Sequence, residues 1–106
     1  MLASEEERTM VKVLIRRQTK ENTEVEVHDS LVEYRVAAMR QPGYVSGETL
    51  VNTRDPREIL VISTWRSLEH WKAWQRSTQR AELAKSLGPL IAEEQVTSYY
   101  IAAREE

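Results

Sequence analysis

Residues 42–74 read PGYVSGETLVNTRDPREILVISTWRSLEHWKAW, a turn, two strands, a reversal and the opening of a helix. Gln41-Pro42-Gly43 carries the turn chemistry that leads into a strand from Tyr44 to Thr53. A tight Asp55-Pro56 reversal then leads into a second strand, Glu58 to Trp65. Ser67 is placed to cap a helix carrying Trp71 and Trp74, with Glu69 in the first turn, where the helix dipole favours an anion. In the second strand Ile59, Val61, Ser63 and Trp65 point one way, and Leu60, Ile62, Thr64 and Arg66 the other. Both faces are apolar near the middle. A sheet covered by helices on one side only should be polar on its other side, so a second cover is expected, most simply the same sheet of a second copy.

On the N-terminal side, Met10–Gln18 alternates with period two and is rich in branched residues, which predicts a strand. Lys20-Glu21-Asn22 supplies the turn. Val25–Gln41 reads as a helix with Glu26, Asp29, Ser30, Glu33, Ala37 and Arg40 on a polar arc. The remaining arc is apolar, but His28 and Arg35 fall near its middle, aligned seven positions apart. On the C-terminal side, Gln79–Leu87 continues the helical pattern, with or without a break, and ends at Gly88-Pro89. Val96–Ala102 is the closing strand. The order strand, helix, strand, strand, helix, strand predicts an α+β, ferredoxin-like βαββαβ domain: a four-stranded antiparallel sheet with its helices on one face.

Composition narrows the function classes. A chain of 106 residues fits one domain, expected over 10–103, with residues 1–9 a frayed acidic tail and 104–106 a polar one. A net charge of −2 offers no basic footprint for nucleic acid, and zero cysteines exclude disulfides and thiol chemistry. No apolar run approaches the ~20 residues of a membrane span, and the acidic start is unlike a secretory leader, so a cytoplasmic protein is expected. Two histidines far apart make a poor metal site, and no phosphate loop, dinucleotide fingerprint or zinc helix is present.

Several residues admit two readings. His28 and Arg35 either line a cavity, as acid–base group and anion binder, or mark a seam where Arg35 snorkels to solvent. Trp65, Trp71 and Trp74, with Tyr99 and Tyr100, either wall a flat substrate or fill the core. His70 is expected to face solvent. Arg16 and Arg17 must point to opposite faces, so one of them reaches inward. Asn52 either polarises a carbonyl or shapes its turn.

Pro42-Gly43-Tyr44-Val45-Ser46-Gly47, then Ile62-Ser63-Thr64-Trp65, then the Ser67–Trp74 helix resemble an antibiotic biosynthesis monooxygenase domain over roughly residues 10–102. The resemblance implies a dimeric α+β barrel in which two sheets pack face to face, a homodimer that accounts for the doubly apolar strands. It implies a monooxygenase that needs no cofactor, acting on a small polycyclic or phenolic substrate. For such chemistry, helical and strand phase alone point to His28 as base, Arg35 or Arg16 as anion stabiliser, and Trp71, Trp74 and Tyr99 as pocket wall. The family's haem-degrading branch carries an Asn on the first strand, a Trp on the second helix and a His about ten residues after that Trp. Trp74 fits that pattern, whereas Arg16 or Arg17 and Ala84 replace the other two. A non-enzymatic module binding a hydrophobic metabolite, or a structural dimer whose pocket is filled by its own tryptophans, are the other expectations.

Overall fold

The computed structural model describes residues 9–103; of the tails expected at 1–9 and 104–106, residues 1–8 and 104–106 lie outside the described residues. The elements are β1 (Val11–Thr19), α1 (Glu24–Met39), β2 (Tyr44–Val51), β3 (Glu58–Trp65), α2 (Leu68–Gln75), α3 (Thr78–Leu87), a 3-10 turn (Gly88–Leu90) and β4 (Ile91–Tyr100). The strands form one antiparallel sheet in the order β2-β3-β1-β4. This is the expected ferredoxin-like α+β arrangement. In the C-terminal half, a helix break that the sequence left open is present, and the last strand starts earlier than expected. The second helical stretch is two helices, because Ser77 caps α3 by accepting from the Arg80 N–H while its hydroxyl donates to the Trp74 carbonyl. The last strand begins at Ile91 rather than Val96, because Glu93 and Glu94 pair with Gln18 and Arg17, so a polar stretch joins the ladder.

Strand alternation sets which residues meet the helices. Val11, Val13, Ile15, Arg17 and Thr19 of β1 are buried on the helix side. Across the ladder from them stand Trp65, Ser63, Val61 and Ile59 of β3. Trp65, with no exposed surface, is the centre of the core. Its indole N–H donates to Ser63 Oγ (3.0 Å), Tyr44 meets it edge-on at 5.4 Å, and Trp71 lies 5.9 Å away. Burying an aromatic ring of this size removes ~150–250 Å² from water, and paired rings add about 0.5–1.5 kcal/mol.

Helix α1 corrects the expected arcs. Val27, Ser30 and Ala37 are its buried residues, with Leu31, Tyr34 and Ala38 half-buried beside them. Small side chains at Ser30 and Ala37 let the helix approach the sheet, so two positions assigned to the polar arc face inward. Val25, Val32, Val36 and Met39 are exposed, and His28 and Arg35 lie on the flank of the buried stripe rather than at its middle.

The turn after α1 uses Gly43 twice over. Its φ of 83° lies in the left-handed region, and a Cβ there would overlap the ring of His70. His70 is accordingly half-buried rather than solvent-facing, with Nδ1 2.7 Å from Ser67 Oγ. On the sheet's other face Leu14, Leu60 and Ile62 are only partly covered and Leu50 and Tyr99 are exposed. This is the doubly apolar sheet anticipated from β3. Among the described residues no helix is long and apolar enough to cross a membrane.

Candidate functional site

A cavity of about 60 Å³ lies between the helix layer and the helix-facing side of the sheet. Ile15, Val61 and Trp65 supply its apolar floor, and Trp71 and Trp74 of α2 wall it. Each of these last two is only 4% exposed. Leu31, Tyr34 and Ala38 close the α1 side, with Tyr44 and Thr49 on the β2 side. Cations enter from three elements: Arg17 on β1, Arg35 on α1 and Arg80 on α3.

Arg17 is 2% exposed, and its Nε has no hydrogen-bond partner. Glu94, its neighbour across the β1–β4 ladder, stands 3.6 Å from that nitrogen and is itself 41% exposed. Burial pulls the Arg17 pKa below the usual guanidinium range, opposed by the charges of Glu94 and Tyr34. The Nε of Arg80 is likewise buried and unpartnered. Both guanidiniums lie over the Tyr34 ring, at 5.5 Å (Arg17) and 5.6 Å (Arg80), and Arg80 is also 5.4 Å from Trp71. Burial raises the Tyr34 pKa, with Arg80 and Arg17 pulling the other way; burial also raises that of Tyr44, opposed by Arg35. At neutral pH both phenols are therefore protonated hydrogen-bond donors.

Arg35 reaches across the cavity mouth, where Nη2 donates to Thr49 Oγ1 at 2.9 Å. Its far side borders a second recess of about 90 Å³ lined by His28, Leu31, Val32, Arg35 and Thr49. Leu31, Arg35 and Thr49 thus line both spaces. A larger hollow, about 420 Å³, lies at the uncovered sheet face, among Lys12, Thr64, Tyr99 and Tyr100.

The structure brings together Trp71, Trp74 and Arg35 of the residues singled out from sequence. It leaves His28 exposed in the neighbouring recess, outside the principal cavity. Arg16 and Tyr99 are on the opposite sheet face, a correction that follows from alternation. Arg17, not Arg16, shares a face with Val13 and Ile15, and Arg16 bridges to Glu58 at 3.1 Å. Tyr99 stands opposite Lys12 in the ladder and is 57% exposed. Sequence reasoning passed over Tyr34, Tyr44 and Arg80. The parity of Arg17 with Val13 and Ile15 was a usable signal; Arg80 had none, because the break at Ser77 resets the helical phase. Among the described residues there is no cluster of three or more His, Cys, Asp or Glu suited to a metal ion. Aromatic walls with buried guanidiniums can hold a flat molecule and lower the free energy of a negative charge on it.

Comparison with curated proteins finds no match. Among solved structures, the cofactor-independent oxygenase SnoaB from Streptomyces nogalater superposes with a TM-score of 0.80 at 17% identity, covering 92% of this chain and 96% of that one. A conserved protein from Methanosarcina mazei gives 0.83 at 14% identity, covering 90% and 95% respectively. A protein from Shewanella oneidensis gives 0.79 at 12% identity, covering 94% of each. At such identities these likenesses establish the fold. A model of the family described as antibiotic biosynthesis monooxygenase matches residues 10–86, most of the chain, and the chain belongs to that family.

Proposed function

We propose that this protein is a cofactor-independent monooxygenase that oxidises a phenolic or quinol-type aromatic with O₂. The observation that carries the reading is the cavity itself: tryptophan walls enclosing guanidiniums, in a chain of the monooxygenase family. An electron-rich quinol or anthrone, once deprotonated, is an anion able to pass an electron to O₂. Recombination of the radical pair gives a hydroperoxide. Loss of water leaves the quinone, so one oxygen atom enters the ring and the other leaves in water. The protein's part is to exclude water, orient the ring and stabilise the anion.

Arg35 is assigned to the developing oxyanion. At about 60 Å³ the cavity is far below the ~300–1,000 Å³ of sites for drug-sized ligands. Release of Arg35 from Thr49 would join it to the recess of His28, making room for further rings and bringing that imidazole to the substrate as base. The uncovered sheet face, with Leu14, Leu60 and Ile62 at its centre, is assigned to a second copy, giving a homodimer.

A second reading, a non-enzymatic module that holds a hydrophobic metabolite, is favoured by the exposed position of His28 outside the principal cavity. Oxygen uptake with anthrone and 1-naphthol separates the two. Saturable uptake of one O₂ per quinone formed supports oxidation; binding of these compounds without uptake supports the module.

A further inference from the structure

Three arginines, Arg17, Arg35 and Arg80, line the cavity against a single carboxylate residue, Glu48 of β2. Arg17 and Arg80 arrive from different elements, and each presents a buried Nε with no hydrogen-bond partner. A guanidinium left so is expensive, because burial strips the donor of water and nothing replaces it. The one carboxylate paired with Arg17, Glu94, stands 3.6 Å off and is 41% exposed, so it neutralises that charge only in part. No carboxylate ion pair of Arg80 is found among the described residues; what it touches is the faces of Tyr34 and Trp71. Two cations, an aromatic floor under both and missing acceptors describe a receptor for an anion attached to a flat ring.

We propose that the ligand of this cavity is an aromatic carboxylic acid, whose carboxylate is held between Arg17 and Arg80 while its rings lie against Trp71 and Trp74. Carboxylate matches the need because its two oxygens can accept from two guanidiniums at once. It remains ionised at neutral pH, unlike a phenol, so it supplies the missing charge before any chemistry begins. Tyr34, beneath both guanidiniums, fixes them in position, and its protonated hydroxyl adds no competing negative charge. The anchoring carboxylate is then separate from the group that is oxidised near Arg35. The proposal rests on the reading that this cavity is the ligand site, and it narrows the substrate from aromatics in general to aromatic acids.

Titration calorimetry with 2-naphthoate and 2-naphthamide tests it, since the pair shares shape and differs in charge. The naphthoate is expected to bind at least ~10-fold tighter, to weaken as salt is raised, and to lose that preference in Arg80→Gln, where the two affinities converge. Arg80→Lys, which keeps the charge but not the fork, should retain part of the preference. Equal affinities in the natural protein overturn the proposal, as does the absence of saturable naphthoate binding; both measurements stand even if the variants fold poorly. A preference undiminished in folded Arg80→Gln also overturns it. Neither probe carries an oxidisable hydroxyl, so the result is independent of the oxidation reading. Naphthoate binding in a protein that consumes no oxygen with any quinol would leave the anion site standing and remove the monooxygenase. Oxygen uptake without carboxylate preference would do the reverse.

Discussion

Replacing Arg17 by Met separates what that residue does for the fold from what it does for a ligand. Methionine fills a similar, flexible volume, so the packing of the arginine stem is largely kept. The attraction between Arg17 Nε and Glu94 at 3.6 Å is about 4–5 kcal/mol at an effective dielectric constant near 20. With Glu94 41% exposed, roughly half survives solvent screening, about 2 kcal/mol. Stacking over Tyr34 at 5.5 Å adds about 1 kcal/mol. Against this total of roughly 3 kcal/mol stand the desolvation of a guanidinium 2% exposed, several kcal/mol, and an unpaired buried donor, about 1–3 kcal/mol.

The balance leaves Arg17 a net cost to the folded state. Arg17→Met is therefore expected to be as stable as the natural protein or more stable by up to about 3 kcal/mol, while binding naphthoate at least ~10-fold more weakly. Urea unfolding followed by tryptophan fluorescence measures the first quantity, with the slope checked for constancy. Because 1 kcal/mol moves the midpoint of a domain this size by about 4–8 °C, thermal melts provide a second check. A loss of more than ~2 kcal/mol on Arg17→Met would instead make Arg17 a structural ion held for Glu94.

Glu94→Gln removes the carboxylate that competes for Arg17, so naphthoate affinity should rise severalfold by calorimetry. Thr49→Val breaks the Arg35 clasp at the cavity mouth and should speed binding of a tricyclic ligand relative to a single-ring one in stopped-flow fluorescence. Gly43→Ala meets both a positive φ and the His70 ring, and should cost about 2 kcal/mol or more in urea unfolding. The raised pKa values of Tyr34 and Tyr44 mean the unfolded chain ionises these phenols first. Their contribution to stability is thus complete below about pH 10 and is lost as pH rises through the folded values. Tyr34→Phe should flatten the alkaline fall of the unfolding free energy measured between about pH 9 and 11.

Much of the fold was legible because strand parity and turn chemistry are local signals. Alternation in Val11, Val13 and Ile15, the Pro42-Gly43 stop and the Ser67 cap each act within a few residues, and the structure keeps them. Helix α1 was harder. It has nine valine, leucine, alanine, methionine and tyrosine side chains spread around most of its circumference, so hydrophobicity could not say which stripe meets the sheet. Steric fit chose Ser30 and Ala37 over Val32 and Val36. The site was legible where it coincided with the core, at Trp71 and Trp74, and at Arg35, a cation standing out on a largely apolar helix arc. The rest of its charged part depends on β1 parity, on a helix break that re-aims Arg80, and on distances across the sheet. Arg16 and Tyr99 were placed in the pocket because residue type suited the chemistry, but alternation puts both on the other face.

The cavity between sheet and helices is proposed to oxidise an ionised aromatic with O₂. An oxygen electrode, run with 1,4-dihydroxy-2-naphthoate and with quinone formation followed in parallel, tests it most directly. The expected result is enzyme-dependent, saturable uptake above the spontaneous rate, one O₂ consumed per molecule oxidised, and its suppression by excess 2-naphthoate. Uptake equal to the spontaneous rate, or enzyme-dependent uptake indifferent to a cavity-filling Ala38→Trp substitution in a folded variant, would contradict it.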